Sequence, residues 1–307
     1  GDAEKWLKLA YGLKARYTMH LLKRSANKDA DMEKVLEYVN NSFESAEEQA
    51  AFDVYDANNI NPLYGFFVAR AGLGASESMR SKLAEYNDPR LSRAFITKQG
   101  TSGKEQAPGT ADNAVYAPNG TPEQGTSQYG TSLFMYSISA PTLLLSYHEL
   151  KFLEAEALCR LERDAKSALK DAVVAGLLNA ENSFTISRKE LGKTLINAAS
   201  SITEAEAESY FDNTIEAKYT AEPLKTTMTQ KYFALWGASG EATESYNDVR
   251  RMKGLGENFI ELKNPNSFPL RCPYGNSDTT TNAEVKAAYG NGQYVYSENV
   301  WWAGGSR

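Results

Sequence analysis

Apolar side chains recur every three or four residues through most of this chain, the spacing of amphipathic helices. Trp6, Leu9, Leu13, Tyr17 and Leu21 form one stripe, and Met32, Val35, Leu36 and Val39 form the next, with Asp29 or Asp31 as its expected cap. "ESMRSKLAEY" predicts a shorter helix that ends at "NDPRL", where Pro89 disfavours helical geometry for Asp88. The pattern then predicts helices over 142–160 and 165–180, the second capped by Asp164 and carrying Leu169, Val173 and Leu177. The short "RLERD" between them makes the two antiparallel neighbours. Thr203 and Glu206 stand in capping-box positions ahead of "AEAESYF". Met228, Tyr232, Leu235 and Trp236 mark a further helix, and "ATESYNDVRRMKG" another, with Gly254 placed to end it in a left-handed turn.

No alternation of apolar and polar residues persists for more than a few positions, so the expected class is mostly α, built of helical hairpins with long irregular loops. The helical period lapses most clearly between Gln99 and Gln128, where "QGTSGKEQAPGTADNAVYAPNGTPEQGTSQ" is rich in Gly, Thr, Pro, Asn and Gln. An irregular segment of that length is uncommon in a compact domain unless it is functional or disordered. Tyr116 within it, and Tyr129, Phe134 and Tyr136 after it, are available to hold it to the body. The wider excursion is expected to span about 52–140 within a single domain over 1–307.

Composition narrows the function. With 33 basic and 39 acidic residues the net charge is −6, and no basic stripe offers itself to a nucleic-acid backbone. The 18 Tyr, 12 Phe and 4 Trp depart from average; core and interface filling accounts for most of them, and Tyr and Trp also make flat amphipathic binding platforms. Two cysteines, Cys159 and Cys272, make no disulfide framework or metal knuckle, and a pairing between them stays open. No apolar run approaches the roughly 20 residues that cross a bilayer. The chain starts inside a helical pattern, as a fragment or processed chain would.

Catalytic patterns fail on inspection. His148 and Glu149 resemble the start of a zinc-protease helix, but position 152 holds Phe152 where a second histidine is required, and the other histidine is the distant His20. No nucleophile elbow or phosphate loop is present, and the two "GLG" strings follow no predicted strand. Carboxylates are numerous, yet Glu149, Glu154, Glu156, Glu241 and Glu244 fall in helical patterns, where a solvated face or an ion pair with Arg250 or Arg251 accounts for them. "SYHELKFLEAEAL" therefore reads as a packing helix. Leu145, Leu150, Phe152, Leu153, Ala157 and Leu158 give it a wide apolar face, with Ala155 and Ala157 small enough for close approach.

Several strings, taken in order, resemble one family. "GDAEKWLKLAYGLKARY", "NPLY" (61–64), "NDPRL" (87–91), "SYHELKFLEAEAL", "QKYFALW" with "ESYNDVRR", "PLRCPYG" and the late "VWW" follow the motif order of the SusD/RagB family, most closely its SusD-like second subgroup from the Bacteroidetes. His148, Leu270 and Gly275 depart from residues usual there, namely Ala, Arg and Pro. The resemblance implies a TPR-like helical fold whose N-terminal part is missing here. It also implies a surface-exposed outer-membrane lipoprotein, its anchor segment absent from this chain, without cofactor or metal. In that family role the protein is a non-enzymatic lid that captures oligosaccharide, or in some members peptide, for a SusC-like TonB-dependent transporter. A protein-interaction scaffold docking the transporter and an α-helical glycoside hydrolase are the rival readings. For a glycan, the candidates in the 53–136 loops are Tyr55, Tyr64, Tyr116 and Tyr129 as stacking rings, with Asn61 and Arg70 as polar partners.

Overall fold

The computed structural model describes residues 2–70, 73–97, 109, 114–120, 129–237, 240–264 and 267–305. Its helices are α1 (Ala3–His20), α2 (Lys28–Asn40), α3 (Pro62–Arg70), α4 (Glu77–Glu85), α5 (Tyr147–Arg160), α6 (Lys166–Leu191), α7 (Glu204–Tyr210), α8 (Glu216–Ala221), α9 (Pro223–Ala234), α10 (Ala242–Leu255), α11 (Asn276–Thr281) and α12 (Ala283–Tyr289). Four short strands, β1 (Ala50–Phe52), β2 (Phe95–Ile96), β3 (Thr131–Ser132) and β4 (Thr142–Leu145), pair antiparallel as β1–β4 and β2–β3. The chain divides into two compact units: Gly1–Pro118 with Glu123–Leu262, and Asn119–Pro122 with Lys263–Arg307. In the smaller unit Tyr274 stacks on Tyr289 at 4.3 Å, with the Arg271 guanidinium 4.6 Å from the Tyr274 ring. The mostly helical class expected from periodicity is what the chain adopts.

Within the larger unit α5 is the central element, packed on α1, α2, α6 and α9. Phe152 and Ala155 face a core shared with Phe184, Phe211 and Phe233, while Leu150, Leu153 and Ala157 face a second core with Met19, Met32 and Val35. One helix thus feeds two cores, which explains why its apolar face reads so wide in sequence. Each fully buried aliphatic or aromatic side chain contributes about 1.5–3 kcal/mol of transfer free energy.

Several boundaries differ from the periodicity. The 142–160 pattern is a strand followed by a helix: Thr142–Leu145 pairs with β1, and Ser146 caps α5 by accepting from the Glu149 amide at 3.0 Å. The next helix runs on to Leu191 because Phe184 and Ser187 continue its buried face. Asp164 does accept from Lys166 N (3.0 Å), but one residue upstream of the cap position, Ala165. Asn27, not Asp29 or Asp31, caps α2. The left-handed residue after α10 is Gly256 (φ 81°), since Gly254 still lies inside the helix. The 52–140 excursion is less irregular than its sequence, holding α3, α4, β2 and β3. Most of 99–128 lies outside the described residues. Both cysteines are free.

The α1 stripe is the largest departure. Trp6, Tyr17 and Leu21 face solvent, Trp6 at 66% exposure. The buried side of α1 is instead Gly12, Ala15, Arg16 and Met19, because small residues allow close approach and Arg16 is drawn inward by a carboxylate. A Cβ at Gly12 would collide with the Leu145 side chain and come 2.8 Å from Ser42 Oγ.

That carboxylate belongs to a buried charge network around α5. Arg16 donates through Nε to Glu149 Oε1 (2.8 Å), through Nη2 to Glu149 Oε2, and through Nη2 to Leu144 O (2.9 Å). One helical turn past Glu149, and then nearly another, comes Glu156, which accepts from Arg251 Nη2 (2.8 Å) and Arg160 Nε (2.8 Å). Arg251 also holds Asp248 (2.7 Å), which in turn pairs with Lys231 at 2.8 Å, and Arg160 reaches Glu257. Burial alone would raise the Glu156 carboxyl, but the Arg251 and Arg160 guanidiniums overcome it and hold it far below the usual carboxylate range. A separate buried pair, Arg90 with Asp88 (2.8 and 2.6 Å), ties the "NDPRL" turn to Phe233 O (2.7 Å). His148, only 1% exposed, sits 3.8 Å from Glu241 through Nε2, which has no hydrogen-bond partner. Burial, aided by the charges of Arg90 and Lys231, lowers its pKa to about 3.

Three outcomes follow from this packing. Gly12→Val should destabilise the fold by about 1–3 kcal/mol through overpacking, read as a lower urea midpoint. Arg251→Met should cost about 3–5 kcal/mol, because it leaves Glu156 and Asp248 buried with fewer partners, whereas Arg163→Ala at an exposed pair should leave the midpoint unchanged. For His148 the unfolded chain gains a proton below its ordinary pKa of 6.5 while the folded chain stays neutral down to about 3. Its contribution to stability is therefore present above 6.5 and lost as pH falls through that window. His148→Leu should flatten the fall in Tm on acidification between those limits; an unchanged slope would refute the neutral buried imidazole.

Candidate functional site

Helix α6 buries Leu169, Val173, Leu177 and Phe184 on one side, and its other face is left open around Val174, Ala175 and Leu178. Over that face lies a cavity of about 460 Å³. The 26-residue helix supplies its floor, and the segment before β1, the start of α5 and the helix α7 supply its walls. This volume falls in the usual range of small-ligand sites, roughly 300–1,000 Å³.

The floor is apolar and the polar groups stand around it. Asn179 and Asn182 extend from α6 two and one turns before the buried Ser187, and neither amide has a protein partner among the described residues. Gln49 accepts through Oε1 from Tyr147 N at 3.2 Å, which leaves its amide nitrogen available. The Tyr147 ring is half-buried at the wall, and burial pushes its hydroxyl pKa up. Asp171 pairs with Lys151 (3.2 Å), and Lys170 donates to both oxygens of Asp212 (2.8 and 2.9 Å). Glu204 and Glu208, one turn apart on α7, complete the opposite wall. His148 also lines the cavity. These groups donate and accept hydrogen bonds around an apolar floor; no nucleophile–base pair is among them. Among the described residues no cluster of His, Cys, Asp or Glu could hold a metal ion.

The residues singled out from sequence do not form one cluster. Asn61 is buried, caps α3 by accepting from Leu63 N (2.8 Å), and donates to Ala140 O (2.8 Å). It lines a pinched cleft that shares Asn179 with the cavity. Tyr64 donates to Glu190 Oε1 (2.9 Å) near the end of α6, and burial with that carboxylate pushes its pKa up to about 12. Tyr55 is half-buried, edge-on to Phe52 at 5.0 Å and hydrogen-bonded to Thr142 Oγ1 (2.7 Å). Tyr116 packs edge-on against Phe95 at 5.3 Å with Arg80 near its ring, its hydroxyl lacking a hydrogen-bond partner. Tyr129 is buried beside Gly74. The Arg70 side chain lies outside the described residues. Asn61 and Tyr64 thus adjoin α6, Tyr55 sits at the β1–β4 edge, and Tyr116 and Tyr129 belong elsewhere. Gln49, Tyr147, Asn179, Asn182, Glu204 and Glu208 escaped the sequence reading. The available signal was the pair of amides in "VVAGLLNAEN", polar residues inside an otherwise apolar helical run.

The family model for the SusD-like second group, described as starch-binding and associating with the outer membrane, matches residues 1–274. A SusD/RagB family protein of Bacteroides thetaiotaomicron is 66% identical, with a TM-score of 0.91 over 100% of this chain and 66% of that one. A SusD homologue of Bacteroides fragilis shares the fold at 20% identity, with a TM-score of 0.66 over 96% of this chain and 67% of its own. A SusD homologue of Bacteroides vulgatus does so at 22%, with a TM-score of 0.58 over 99% and 64%. The chain therefore spans about two thirds of the length of the proteins it matches. No curated protein matches it significantly. Among the described residues no helix is long and apolar enough to cross a membrane. The family match over most of the chain, the near-identical fold of the Bacteroides thetaiotaomicron protein and the ordered motifs converge: this chain belongs to the SusD/RagB family, in its SusD-like second group.

Proposed function

We propose that the chain is a non-catalytic glycan-capture component of an outer-membrane uptake system, and that the cavity over α6 holds the sugar. The observation that carries this reading is the cavity's division into an apolar floor and a ring of amide and carboxylate groups. A sugar ring has the matching division, with C–H faces for Val174, Leu178 and the Tyr147 ring, and hydroxyls for Gln49, Asn179, Asn182 and Asp171. Tyr64, which meets Glu190 near the end of α6, extends the contact to a longer oligosaccharide, with Tyr55 at the neighbouring strand edge, while Asn61 is held by a helix cap and a carbonyl. The family description supports the same assignment.

In this reading the captured oligosaccharide passes to a SusC-like TonB-dependent transporter, with the protein held at the cell surface by a lipid anchor. No acid–base pair is asked to act on the glycan, since binding alone is the task. Two lined amides without protein partners gain hydrogen bonds on binding, each contributing about 0.5–1.5 kcal/mol.

Calorimetric titration with a panel of oligosaccharides tests the site. Asn179→Leu and Tyr147→Ala should each weaken binding about tenfold or more, while Tyr116→Ala and Tyr129→Ala should leave affinity unchanged if they fold normally. Loss of affinity in the latter pair alone would move the site to the β2–β3 region. Release of reducing ends from a bound glycan would overturn the non-catalytic reading.

A further inference from the structure

Helix α1 is apolar on two opposite faces. One face, built of Gly12, Ala15 and Met19, is buried against α2 and α5. On the other, Trp6, Ala10, Leu13 and Tyr17 follow one another at helical spacing, and Leu21 continues the line at the C-cap. Trp6, Tyr17 and Leu21 are each more than half exposed, and Leu7, also exposed, flanks them. The line itself holds no charged residue. The charged groups beside it are turned to its margins: Lys14 lies 4.0 Å over the Tyr38 ring of α2, and His20 meets Glu244 of α10 through Nε2 at 2.8 Å. Tyr17 stands edge-on to that histidine at 5.9 Å. Scattered exposed apolar residues are normal on a protein surface, but a contiguous stripe of them marks a contact surface. A helix that is apolar on opposite sides is suited to lie between two layers.

The place of α1 among the helices says what kind of layer is wanted. Helices α1 and α2 pack as a hairpin, α2 lies on α5, and α5 pairs with α6, so successive hairpins stack. In a stack of hairpins each unit touches its neighbours, and the unit at an end carries a polar outer face that keeps it soluble. The α1–α2 hairpin stands at an end here, yet the outer face of α1 is apolar. It has the surface of an interior unit. The solved relatives supply the length for another one: they match nearly all of this chain, and about a third of each has no counterpart in it.

We propose that the outer face of α1 is the docking surface for a further helical hairpin, carried in that unmatched third, which lays its own apolar stripe along Trp6, Leu13, Tyr17 and Leu21. The stack then continues past α1 with the same spacing that joins α2 to α5. This docking is independent of what the α6 cavity binds.

The test pairs the chain with a defined probe, the unmatched third of the 66%-identical Bacteroides thetaiotaomicron protein, produced with an affinity tag in the same cells. The two should co-purify in equal amounts, with tryptophan emission shifted to shorter wavelength and the shift absent in Trp6→Phe. Tyr17→Asp and Leu21→Asp should each weaken the complex about tenfold or more, whereas Val54→Asp, an exposed apolar position on the segment after β1, should leave it intact. All three positions face solvent, so the thermal midpoint of the chain alone should not move in any variant. Joining the same third to this chain in one polypeptide provides a second readout that needs no separate probe: Trp6 should become shielded from an added quencher. A Trp6 equally open to quencher in the joined protein would overturn the docking, as would a complex that survives both α1 variants. Self-association of the chain alone that Tyr17→Asp and Leu21→Asp abolish would overturn it too, by giving the face to a second copy.

Discussion

Carboxylates taken out of water dictate how α5 sits, and the rest of the larger unit is arranged around that helix. Glu149 and Glu156 are wholly buried, and each is satisfied by guanidiniums from other places in the chain: Arg16 on α1, Arg251 on α10 and Arg160 at the end of α5 itself. An isolated buried carboxylate costs several kcal/mol, and a paired one roughly breaks even against an apolar substitute of the same volume. Stability is thus not what the network mainly adds. Its effect is geometric, because a bidentate guanidinium tolerates little rotation or sliding before a charge is stranded. Of the two cores on either side of α5, one is rich in aromatic rings such as Phe152, Phe184, Phe211 and Phe233, and the other is mainly Leu, Met, Val and Ala; these pairs flank both.

The same interaction clarifies what the recognisable motifs encode. Glu149 and Glu156 come from "SYHELKFLEAEAL", Asp248 and Arg251 from "ESYNDVRR", Lys231 from "QKYFALW", and Asp88 and Arg90 from "NDPRL". Several strings that identify the family in sequence thus supply the buried ion pairs of the folded chain. Of the groups that line the cavity, Tyr147 and His148 come from one of these strings, while Gln49, Asn179, Asn182, Glu204 and Glu208 lie outside them. A ligand site on loops and open helix faces can change while this frame stays constant, which fits a fold shared at about 20% identity with other Bacteroides proteins.

Helix existence was legible because burial imposes a 3.6-residue period, and Thr203 caps α7 as its box position indicates. Termini were less legible. Periodicity across 142–146 could not distinguish a strand from a helix, since Leu143 and Leu145 bury on one side of a strand pleat just as they would on a helix turn. On α1 the apolar stripe is real, but Arg16 and Gly12 decide which face goes inward, one by charge and one by size. Gly254 reads as the helix stop in sequence, but the α10 winding continues through it and the left-handed turn falls two residues later, at Gly256. The cavity was nearly invisible, because its walls come from four segments between residues 46 and 208 and no local spacing joins them. Asn61 reads as a ligand group in sequence, yet its amide is committed to a helix cap and a carbonyl.

Between α7 and α8 the five residues Phe211–Ile215 form a π-helical turn, with Phe211 and Ile215 both fully buried. A turn of this kind carries one residue more than the α-helix around it. Because the wider turn winds more slowly, its five residues cover about the rotation of four in an α-helix, so the extra residue is taken up locally and α7 and α8 stay nearly in phase. Tyr219, one turn further on, thereby keeps its hydroxyl at the start of α6, accepting from Ala165 N (2.7 Å) and donating to Asp164 (3.1 Å). The bulge absorbs a surplus residue without re-aiming the helix that follows it.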